Sequence, residues 1–515
     1  MLTRGRMRSA SGVFVSLLLF AACGESTGEE LNAGNGGGGG GSDGADAGAS
    51  PSGGGPAPEV IPEHGFRSDW FDVFALKKAT RYDVPAALAH EAASPPFDGD
   101  GIRGALYSAR FGATLAVPAA GALTLFATAD DGVRVYLDDE LVVDDWSQHP
   151  AREAQGDVDV TAGEHELRVE YFQYGGSAKL AIEWQPPGGA RAPIPLEALR
   201  PATAASEDGP RPTFTNPIIA GDCPDPGVMA VPGAHPQWVM VCTGGSMPVR
   251  VSDDMVSWRP SGNALLPGGQ AAWSANGGRN WAPEIHPVEN GWVAYYTAVN
   301  GANRLSIGCA YASKAEGPYT DCGKPLVEHS LGVIDANFFE DNDGRRYLYY
   351  KIDGNSVGQP TPIYARPLAA DGRSFAAGSV QTEVLTNDPS TWEGGVVEAS
   401  WVIRRGGWYY MFYSGNVYDH RYRTGVARAK SPIGPFKKKG APILGNSASW
   451  VGPGHGSVLA INGKDYFFHH AWPALGNGLH DTSKGRNVLV APVSYKDDWP
   501  VIEGGVSVTG PIAWP

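Results

Sequence analysis

One pattern occurs five times between residues 211 and 515, and it limits the fold of this segment more than any other feature of the chain. Each time, a polar residue opens a short strand, a tight turn follows, and an aromatic-rich strand returns. Turns such as "ENGW", "RRGGW" and "INGKD" carry the Asn-Gly and Gly-Gly chemistry of β-hairpins. The opening residues are spaced 59, 51, 63 and 57 positions apart: Asp225, Glu284, Asp335, Glu398 and His455. Nearly equal periods of this length predict the blades of a β-propeller.

Each repeat also contains a later, more polar strand, such as "VRVSDDMVSW" or "GVARAKSPIGPF", so the pattern predicts five blades. The composition agrees with an all-β protein, because 70 Gly, 41 Pro, 15 Trp, 20 Tyr and 17 Phe favour short strands, turns and aromatic packing. The first strand of each propeller blade lines the central channel. We therefore expect the five opening residues to meet at one mouth of the channel and to form a functional site there.

Residues 61–200 contain alternating strands separated by "DDG" and Gly-rich turns, which predicts a separate β-barrel or sandwich module. Through "ADDGVRVYLDDELVVDDW" and "LRVEYFQYGG" this segment resembles the protective-antigen-type lectin-like β-barrel. The resemblance implies a carbohydrate-binding module in which two neighbouring aspartates, here Asp130 and Asp131, hold calcium. The alternative is that these residues only form a hairpin turn with Gly132.

Residues 1–23 have the layout of a bacterial secretory signal, with arginines before an apolar core and small residues after it. The core, Val13 to Phe20, is too short to span a membrane. Cys23 stands where a lipobox carries its lipidated cysteine, so we expect an exported protein, lipid-anchored to a bacterial outer membrane or cell surface. A simple cleaved signal with a chance cysteine is the alternative. Residues 24–60 then form a Gly/Ser-rich tether.

The formal net charge of −15 and the lack of a Lys/Arg cluster argue against a nucleic acid partner. Four cysteines follow Cys23, and in an exported protein they are expected to pair. Four cysteines allow three connectivities, of which Cys223–Cys242 and Cys309–Cys322 are the local choices. The sequence has no CxxC motif or Cys/His cluster that would suggest zinc.

Convergent carboxylates in one channel have a definite chemical use. Acids that face a cavity of low dielectric constant cannot all ionise easily, so their pKa values separate. This separation provides a proton donor and a proton acceptor at the same pH, which hydrolysis of a glycosidic bond requires.

The segment 211–515 resembles glycoside hydrolase family 43 in five motifs that occur in the family's order: "NPIIAGDCPDPGV", "WAPEIH", "GVIDANFF", "VVEASWVIRRGGWYYMFYSGN" and "GPGHGSV". The resemblance implies an inverting, five-bladed propeller enzyme that acts on arabinose and xylose linkages of plant polysaccharides. It also implies that Asp225 is the general base, Glu398 the general acid, and Asp335 the acid that orients Glu398 and raises its pKa. The chain departs from the family pattern at Ala336 and Ala399, and these departures concern the substrate more than the chemistry.

The resemblance implies further roles at four positions. His455 matches a channel histidine that holds calcium through water or binds a central water, with a satisfied core histidine as the alternative. Arg486 matches a residue near the substrate and Trp281 has a ring that could stack on a sugar, although packing is the alternative for both. Glu284 has no catalytic counterpart, so we expect a hydrogen-bonded structural acid. No cofactor is required, and calcium is the only candidate.

The leading functional hypothesis is a monomeric glycosidase that releases arabinofuranosyl or xylosyl units from hemicellulose or pectin. α-L-Arabinofuranosidase is the first choice, followed by β-xylosidase and endo-1,5-α-arabinanase. The rival is a non-catalytic sugar-binding lipoprotein of the cell surface. The presence of Asp225, Asp335 and Glu398 together favours catalysis.

Overall fold

A computed structural model of the protein describes residues 62–72, 77–84, 89–92, 107–174, 178–203, 213–231, 238–275, 279–461 and 463–513. The predicted signal, Cys23 and the tether lie outside these residues. Nearly all regular structure in the described part is β, as expected, and the three helices are single 3-10 turns at Leu196–Ala198, Gly354–Val357 and Glu503–Gly505. None of the helices in this part has the length and apolarity of a membrane span.

The first module consists of two packed β-sheets, which agrees with the predicted sandwich. One sheet has the order β2-β1-β4-β9-β6-β7 with β12 beside β4, and the other has the order β11-β10-β5-β8 with β3 beside β10. The strands are β1 Phe66–Asp72, β2 Lys77–Val84, β3 Ala89–Ala92, β4 Tyr107–Val117, β5 Gly121–Asp130, β6 Val133–Leu137, β7 Glu140–Asp145, β8 Arg152–Val160, β9 Gly163–Gln173, β10 Ala178–Gln185, β11 Ala192–Pro193 and β12 Leu199–Pro201. Buried and more exposed residues alternate along β4 and β10, so one face of each sheet forms the common core.

The second module is a five-bladed β-propeller in which every blade is an antiparallel sheet of four strands in chain order. The blades are β14 Gly227–Ala230, β15 Trp238–Val241, β16 Pro248–Ser252 and β17 Arg259–Ala264; β18 Trp281–Val288, β19 Gly291–Val299, β20 Leu305–Ala312 and β21 Thr320–Asp321; β22 Val333–Glu340, β23 Arg346–Ile352, β24 Ile363–Leu368 and β25 Thr382–Leu385; β26 Val397–Arg405, β27 Trp408–Gly415, β28 Arg423–Ala429 and β29 Lys437–Lys438; and β30 Trp450–Ile461, β31 Lys464–Pro473, β32 Asn487–Lys496 and β33 Trp499–Ile502. β13 Thr213–Phe214 pairs with β34 Ile512–Ala513, so the start and the end of the module are held together.

Apolar cores between neighbouring blades close the ring. Five clusters of buried side chains join blades 1 and 2, 2 and 3, 3 and 4, 4 and 5, and 5 and 1. The second strands of the blades contribute tyrosines that are almost fully buried, among them Tyr296, Tyr350 and Tyr413. The aromatic returning strands noted in the sequence therefore form the packing between blades, and the first strands are left to line the channel.

A residue with left-handed backbone geometry lies in the inner strand of blades 2 to 5, and just before the inner strand of blade 1, where the chain reaches the channel mouth. These residues and their φ angles are Asp225 (57°), Ala282 (43°), Asp335 (58°), Ala399 (57°) and His455 (40°). In blades 2 to 5 the pairing with the second strand slips at this position, as in a β-bulge. Non-glycine residues rarely adopt this conformation, so the five positions share a local feature that re-aims side chains toward the mouth.

Both local cysteine pairings are confirmed. Cys223–Cys242 ties the segment before β14 to the end of β15, and Cys309–Cys322 ties β20 to the residue after β21. The first module contacts the propeller through Tyr174, whose hydroxyl lies 3.0 Å from Oγ of Ser257. The two modules fall within one compact unit that spans Val60–Pro515.

Candidate active site

A cavity of about 270 Å³ at the channel mouth brings most of the predicted site residues together. It is lined by Asp225, Thr243, Trp281, Ile334, Asp335, Lys351, Asp353, Asn355, Val396, Glu398, Asn416, Val417, Tyr418, Tyr422, His455 and Arg486. A larger cavity of about 1020 Å³ lies beside Arg405 and Asp465 on blades 4 and 5, but it contains none of the predicted site residues. The smaller cavity is therefore the candidate active site.

Asp225 lies immediately before β14 and is held as a carboxylate. Its Oδ1 is 3.1 Å from Nη1 of Arg486 and 3.2 Å from Nδ1 of His455, and its Oδ2 accepts a 2.6 Å hydrogen bond from Thr243. Burial favours the protonated form, but the charge of Arg486, the neighbouring His455 and a hydrogen bond with His470 outweigh it and hold the pKa of Asp225 well below 3.8. Such a group is an acceptor of protons at neutral pH.

His470, on β31, fixes the backbone of Asp225. The Asp225 N–H donates to Nδ1 of His470 at 3.1 Å, which supports the left-handed conformation of the aspartate. His470 is fully buried, and burial lowers its pKa to about 4, so the ring is neutral. Nδ1 of His470 also lies 3.1 Å from Oδ1 of Asp225, so this nitrogen faces both the backbone and the carboxylate of the aspartate, while Nε2 has no hydrogen-bond partner.

Asp335, on β22, is the carboxyl group of the pocket with a raised pKa. Its Oδ2 accepts a hydrogen bond from the Ala399 N–H at 3.1 Å, next to Glu398 in the chain. Burial raises the pKa of Asp335 to about 7, with Glu398 and Asp225 adding to the rise while His455 and Lys351 oppose it. The contact with Ala399 agrees with the expected orienting role.

Glu398, on β26, is paired with a cation. Nζ of Lys351 donates to its Oε2 at 2.8 Å, and the hydroxyl of Tyr422 donates to its Oε1 at 2.8 Å. Burial alone would raise the pKa of Glu398, but Lys351 and Tyr422 outweigh it and lower the value below 4.5.

The structure therefore gives the two pKa values the opposite order to the one expected. From the sequence, Asp335 was expected to raise the pKa of Glu398 and keep it protonated near neutral pH. In the structure Asp335 has the raised pKa and Glu398 the lowered one. The physical reason is Lys351, whose ammonium group lies against Glu398 and was not recognised in the sequence.

The other predicted residues divide into two groups. Arg486, Trp281 and His455 all line the cavity, and His455 points its Nδ1 at Asp225. Glu284 does not join them, contrary to the expectation that five polar side chains converge. Its Oε2 lies 2.7 Å from Nε2 of His286 and accepts hydrogen bonds from Asn337 and Phe338 of the next blade, as a structural acid would.

The two aspartates that were predicted to hold calcium make contacts within the first module. The carboxylate of Asp131 accepts the N–H groups of His149 and Tyr174, so it is used within the first module. The backbone carbonyl of Asp130 accepts a hydrogen bond from Tyr171. Across the described ranges, no group of three or more His, Cys, Asp or Glu side chains is arranged to hold a metal ion. Residues 130–132 connect β5 of one sheet to β6 of the other, so the hairpin alternative for Asp130 and Asp131 is wrong, and their calcium role stays a prediction.

Sequence reasoning missed Lys351, Tyr422, Thr243 and His470. One signal was present for Lys351, because a lysine inside the otherwise aromatic run "YLYYKI" is unusual for a buried strand. For the others the sequence contains no comparable signal, since Tyr422 and Thr243 lie in loops beside strands and His470 lies in β31, where such residues are ordinary.

Comparison with known proteins agrees with this geometry. Residues 214–500, more than half of the chain, match the sequence model of Glycosyl hydrolases family 43, and residues 98–198 match the PA14 domain. A solved structure of a thermostable family-43 glycoside hydrolase superposes with a TM-score of 0.51 at 26% identity, covering 59% of this chain and 99% of that one.

Two curated relatives show the range of names in this group. A beta-D-galactofuranosidase of Aspergillus niger is 30% identical over 44% of this chain and 62% of its own length. An arabinan endo-1,5-alpha-L-arabinosidase of Emericella nidulans is 29% identical over 56% of this chain and 95% of its own length. The chain thus spans less than two thirds of the first relative.

Proposed function

This chain belongs to glycosyl hydrolase family 43, and on that premise we propose that it is an inverting O-glycosidase that releases arabinofuranosyl or xylosyl units from plant hemicellulose or pectin. One observation supports the proposal most strongly. Three carboxyl groups from three different blades, Asp225, Asp335 and Glu398, line one cavity, and their neighbours give them different proton affinities. Such a set provides the base and the acid that glycoside hydrolysis requires.

In the proposed mechanism Asp225 is the general base. Arg486 and Thr243 keep its carboxylate ionised and fixed, so it accepts a proton from the water that attacks the anomeric carbon. Asp225 becomes neutral in this step, and the proton is released after the product leaves.

Glu398 is the proposed general acid and protonates the oxygen of the leaving group. Because the pKa of Glu398 is lowered and that of Asp335 is raised, a proton held by Asp335 has to reach Glu398 before or during the reaction. The two carboxyl groups therefore act as a pair with one proton between them. The contact of Asp335 with Ala399 fixes the strand that carries Glu398.

For the substrate, we place α-L-arabinofuranosides first, with β-xylosides and arabinan next. Both curated relatives above are named for furanoside linkages, one for galactofuranose and one for arabinan. The ring carbons of β-D-galactofuranose and α-L-arabinofuranose have the same configuration, so one pocket shape suits both. The same proposal includes a plant polymer as the substrate, which the PA14 module holds. It also includes a monomeric protein that is exported and lipid-anchored through Cys23.

The test is release of nitrophenol from aryl α-L-arabinofuranoside, β-D-xyloside and β-D-galactofuranoside by the wild-type protein and Asp225→Asn. Asp130→Asn in the first module is the matched control. Hydrolysis of one substrate that is lost in Asp225→Asn and kept in Asp130→Asn supports the proposal. No hydrolysis of these substrates, arabinan or xylan by the folded protein would favour the sugar-binding alternative.

A further inference from the structure

Lys351 is a buried cation in the wall of the active-site cavity, and the mechanism above gives it no role. It lies near the end of β23, the second strand of blade 3, directly after the buried Tyr349 and Tyr350. Its side chain is 1% exposed. Lysine is almost never this deeply buried unless it is paired, so its partners explain why it is there.

The partners of Lys351 are two carboxylates of the pocket. Its Nζ lies 2.8 Å from Oε2 of Glu398 and 3.1 Å from Oδ1 of Asp353, which is 9% exposed. Burial lowers the pKa of Lys351, but Glu398, Asp335 and Asp353 outweigh it and raise the value above 10.5. The side chain is therefore an ammonium that can keep one contact when it loses the other.

A purely structural explanation accounts poorly for this arrangement. A buried ion pair often adds little net stability compared with apolar side chains of similar size. The same strand shows that aromatic residues pack well here, since Tyr349 and Tyr350 are almost fully buried. Lys351 instead faces the cavity and contacts the carboxyl group that has to donate a proton.

We propose that Lys351 is a positioning residue that decides which carboxyl group carries the catalytic proton. Its contact with Glu398 holds that group as a carboxylate, and the proton stays on Asp335. When a sugar fills the pocket, Lys351 keeps its contact with Asp353 and gives up Glu398, and the proton passes from Asp335 to Glu398. One proton moves between two carboxyl groups, so the net charge of the site is unchanged.

This inference rests on the proposed glycosidase function. Other groups besides Lys351 also affect the pKa values of Glu398 and Asp335. Tyr422 donates to the second oxygen of Glu398, and His455 favours the ionised form of both Glu398 and Asp335. Asp225 has the opposite effect, because its negative charge raises the pKa of Asp335. None of these groups replaces the ammonium at 2.8 Å from Glu398.

The kinetic test compares two variants that are expected to shift the pH profile in opposite directions. Lys351→Met removes the positive charge, so the last proton of the Asp335/Glu398 pair is lost at higher pH. The alkaline limb of kcat/KM on an unactivated substrate should move up by about one to three pH units. Asp353→Asn removes a negative charge, and Glu398 is then the remaining ion-pair partner of Lys351 described above. The alkaline limb of kcat/KM should therefore move to lower pH. Lys430→Met, on the outside of blade 4, should leave the limb in place.

The inference would be overturned if the alkaline limb of kcat/KM stays in place in Lys351→Met and Asp353→Asn. It would also be overturned if the limb moves in the same direction in both variants. A role in packing alone would change kcat or Tm without opposite shifts of the profile. If Lys351→Met does not fold, the downward shift in Asp353→Asn still decides the question.

A second measurement needs no substrate and separates failure of this inference from failure of the proposed function. The Tm deficit of Lys351→Met relative to wild type should be larger at pH 9 than at pH 5, because the uncompensated carboxylates ionise as pH rises. For Asp353→Asn, the Tm deficit relative to wild type should instead be smaller at pH 9 than at pH 5. A deficit that is the same at both pH values would refute the role of Lys351 even if the enzyme is active. If the wild type cleaves no glycoside, these Tm profiles alone support or refute it.

Discussion

Asp335→Asn should make the protein less sensitive to rising pH, although it removes a candidate catalytic group. Burial raises the pKa of Asp335 from 3.8 to about 7. A group with a raised folded-state pKa contributes stability that is full below the unfolded pKa and is lost as pH rises through the folded pKa. Between pH 5 and pH 7 the unfolded chain is ionised at this residue and the folded chain is not. At about 1.36 kcal/mol per pH unit, and with the slope falling as pH approaches the folded pKa, the wild type loses roughly 2–3 kcal/mol as pH rises through this range.

Asparagine does not titrate, so the variant lacks this loss while Oδ1 can still accept the Ala399 N–H. Relative to wild type, the unfolding free energy of Asp335→Asn should therefore rise by roughly 2–3 kcal/mol between pH 5 and pH 8. Urea unfolding followed by tryptophan fluorescence at the two pH values measures this difference, and the constant cost of the substitution cancels.

Asp341→Asn is the matched control, because Asp341 is as buried as Asp335, at 6% exposure for each. Burial raises the pKa of Asp341, but Tyr409, Asn342 and Arg404 outweigh it and lower the value below 3.8. Its stabilising effect is lost only as pH falls through that low value, so its variant should show no change between pH 5 and pH 8. A pH-independent difference for Asp335→Asn would refute the assignment of the proton to Asp335.

Two further predictions concern the proposed acid and base. Glu398→Gln should lower kcat/KM by about 10²–10⁴-fold on natural linkages. The loss should be far smaller on dinitrophenyl glycosides, because their leaving groups need little protonation. Equal losses of kcat/KM on both kinds of substrate in steady-state assays would contradict the acid role. Arg486→Gln removes the cation that lies 3.1 Å from Asp225, so the pKa of Asp225 should rise and the acid limb of the kcat/KM profile should move to higher pH. An unmoved acid limb would show that another group is the base.

The five-bladed architecture was readable from the sequence because its signals are local. Hairpin turns such as "ENGW" and "INGKD" fix where strands reverse, and the aromatic returning strands mark the cores between blades. The channel positions of Asp225, Asp335 and His455 followed from the repeat, since each opens an inner strand.

The repeat misplaced Glu284 because side chains on a strand alternate between faces. The residue of blade 2 that corresponds to Asp225 and Asp335 is Ala282, which has the left-handed conformation, and Glu284 lies two positions beyond it. The β-bulge between Trp281 and Glu284 changes which side chains reach the mouth. Counting polar residues along the chain does not show where such a bulge lies.

The proton affinities of the acids were also beyond the sequence. They depend on contacts between residues far apart in the chain, such as Lys351 with Glu398 and Arg486 with Asp225. The motif "VEAS" identifies the acid but contains no information about the ammonium group that the neighbouring blade places beside it.

The central claim is that Asp225 directs water onto the anomeric carbon while Glu398 protonates the leaving group. The most direct measurement follows the first-formed sugar by proton NMR during hydrolysis of an aryl α-L-arabinofuranoside, before the free sugar mutarotates. Inversion by this pair predicts that β-L-arabinofuranose appears first and that the signal is absent with Asp225→Asn. The α-anomer as the first product would contradict the account, because it requires a covalent intermediate on a carboxylate that the proposed mechanism does not use.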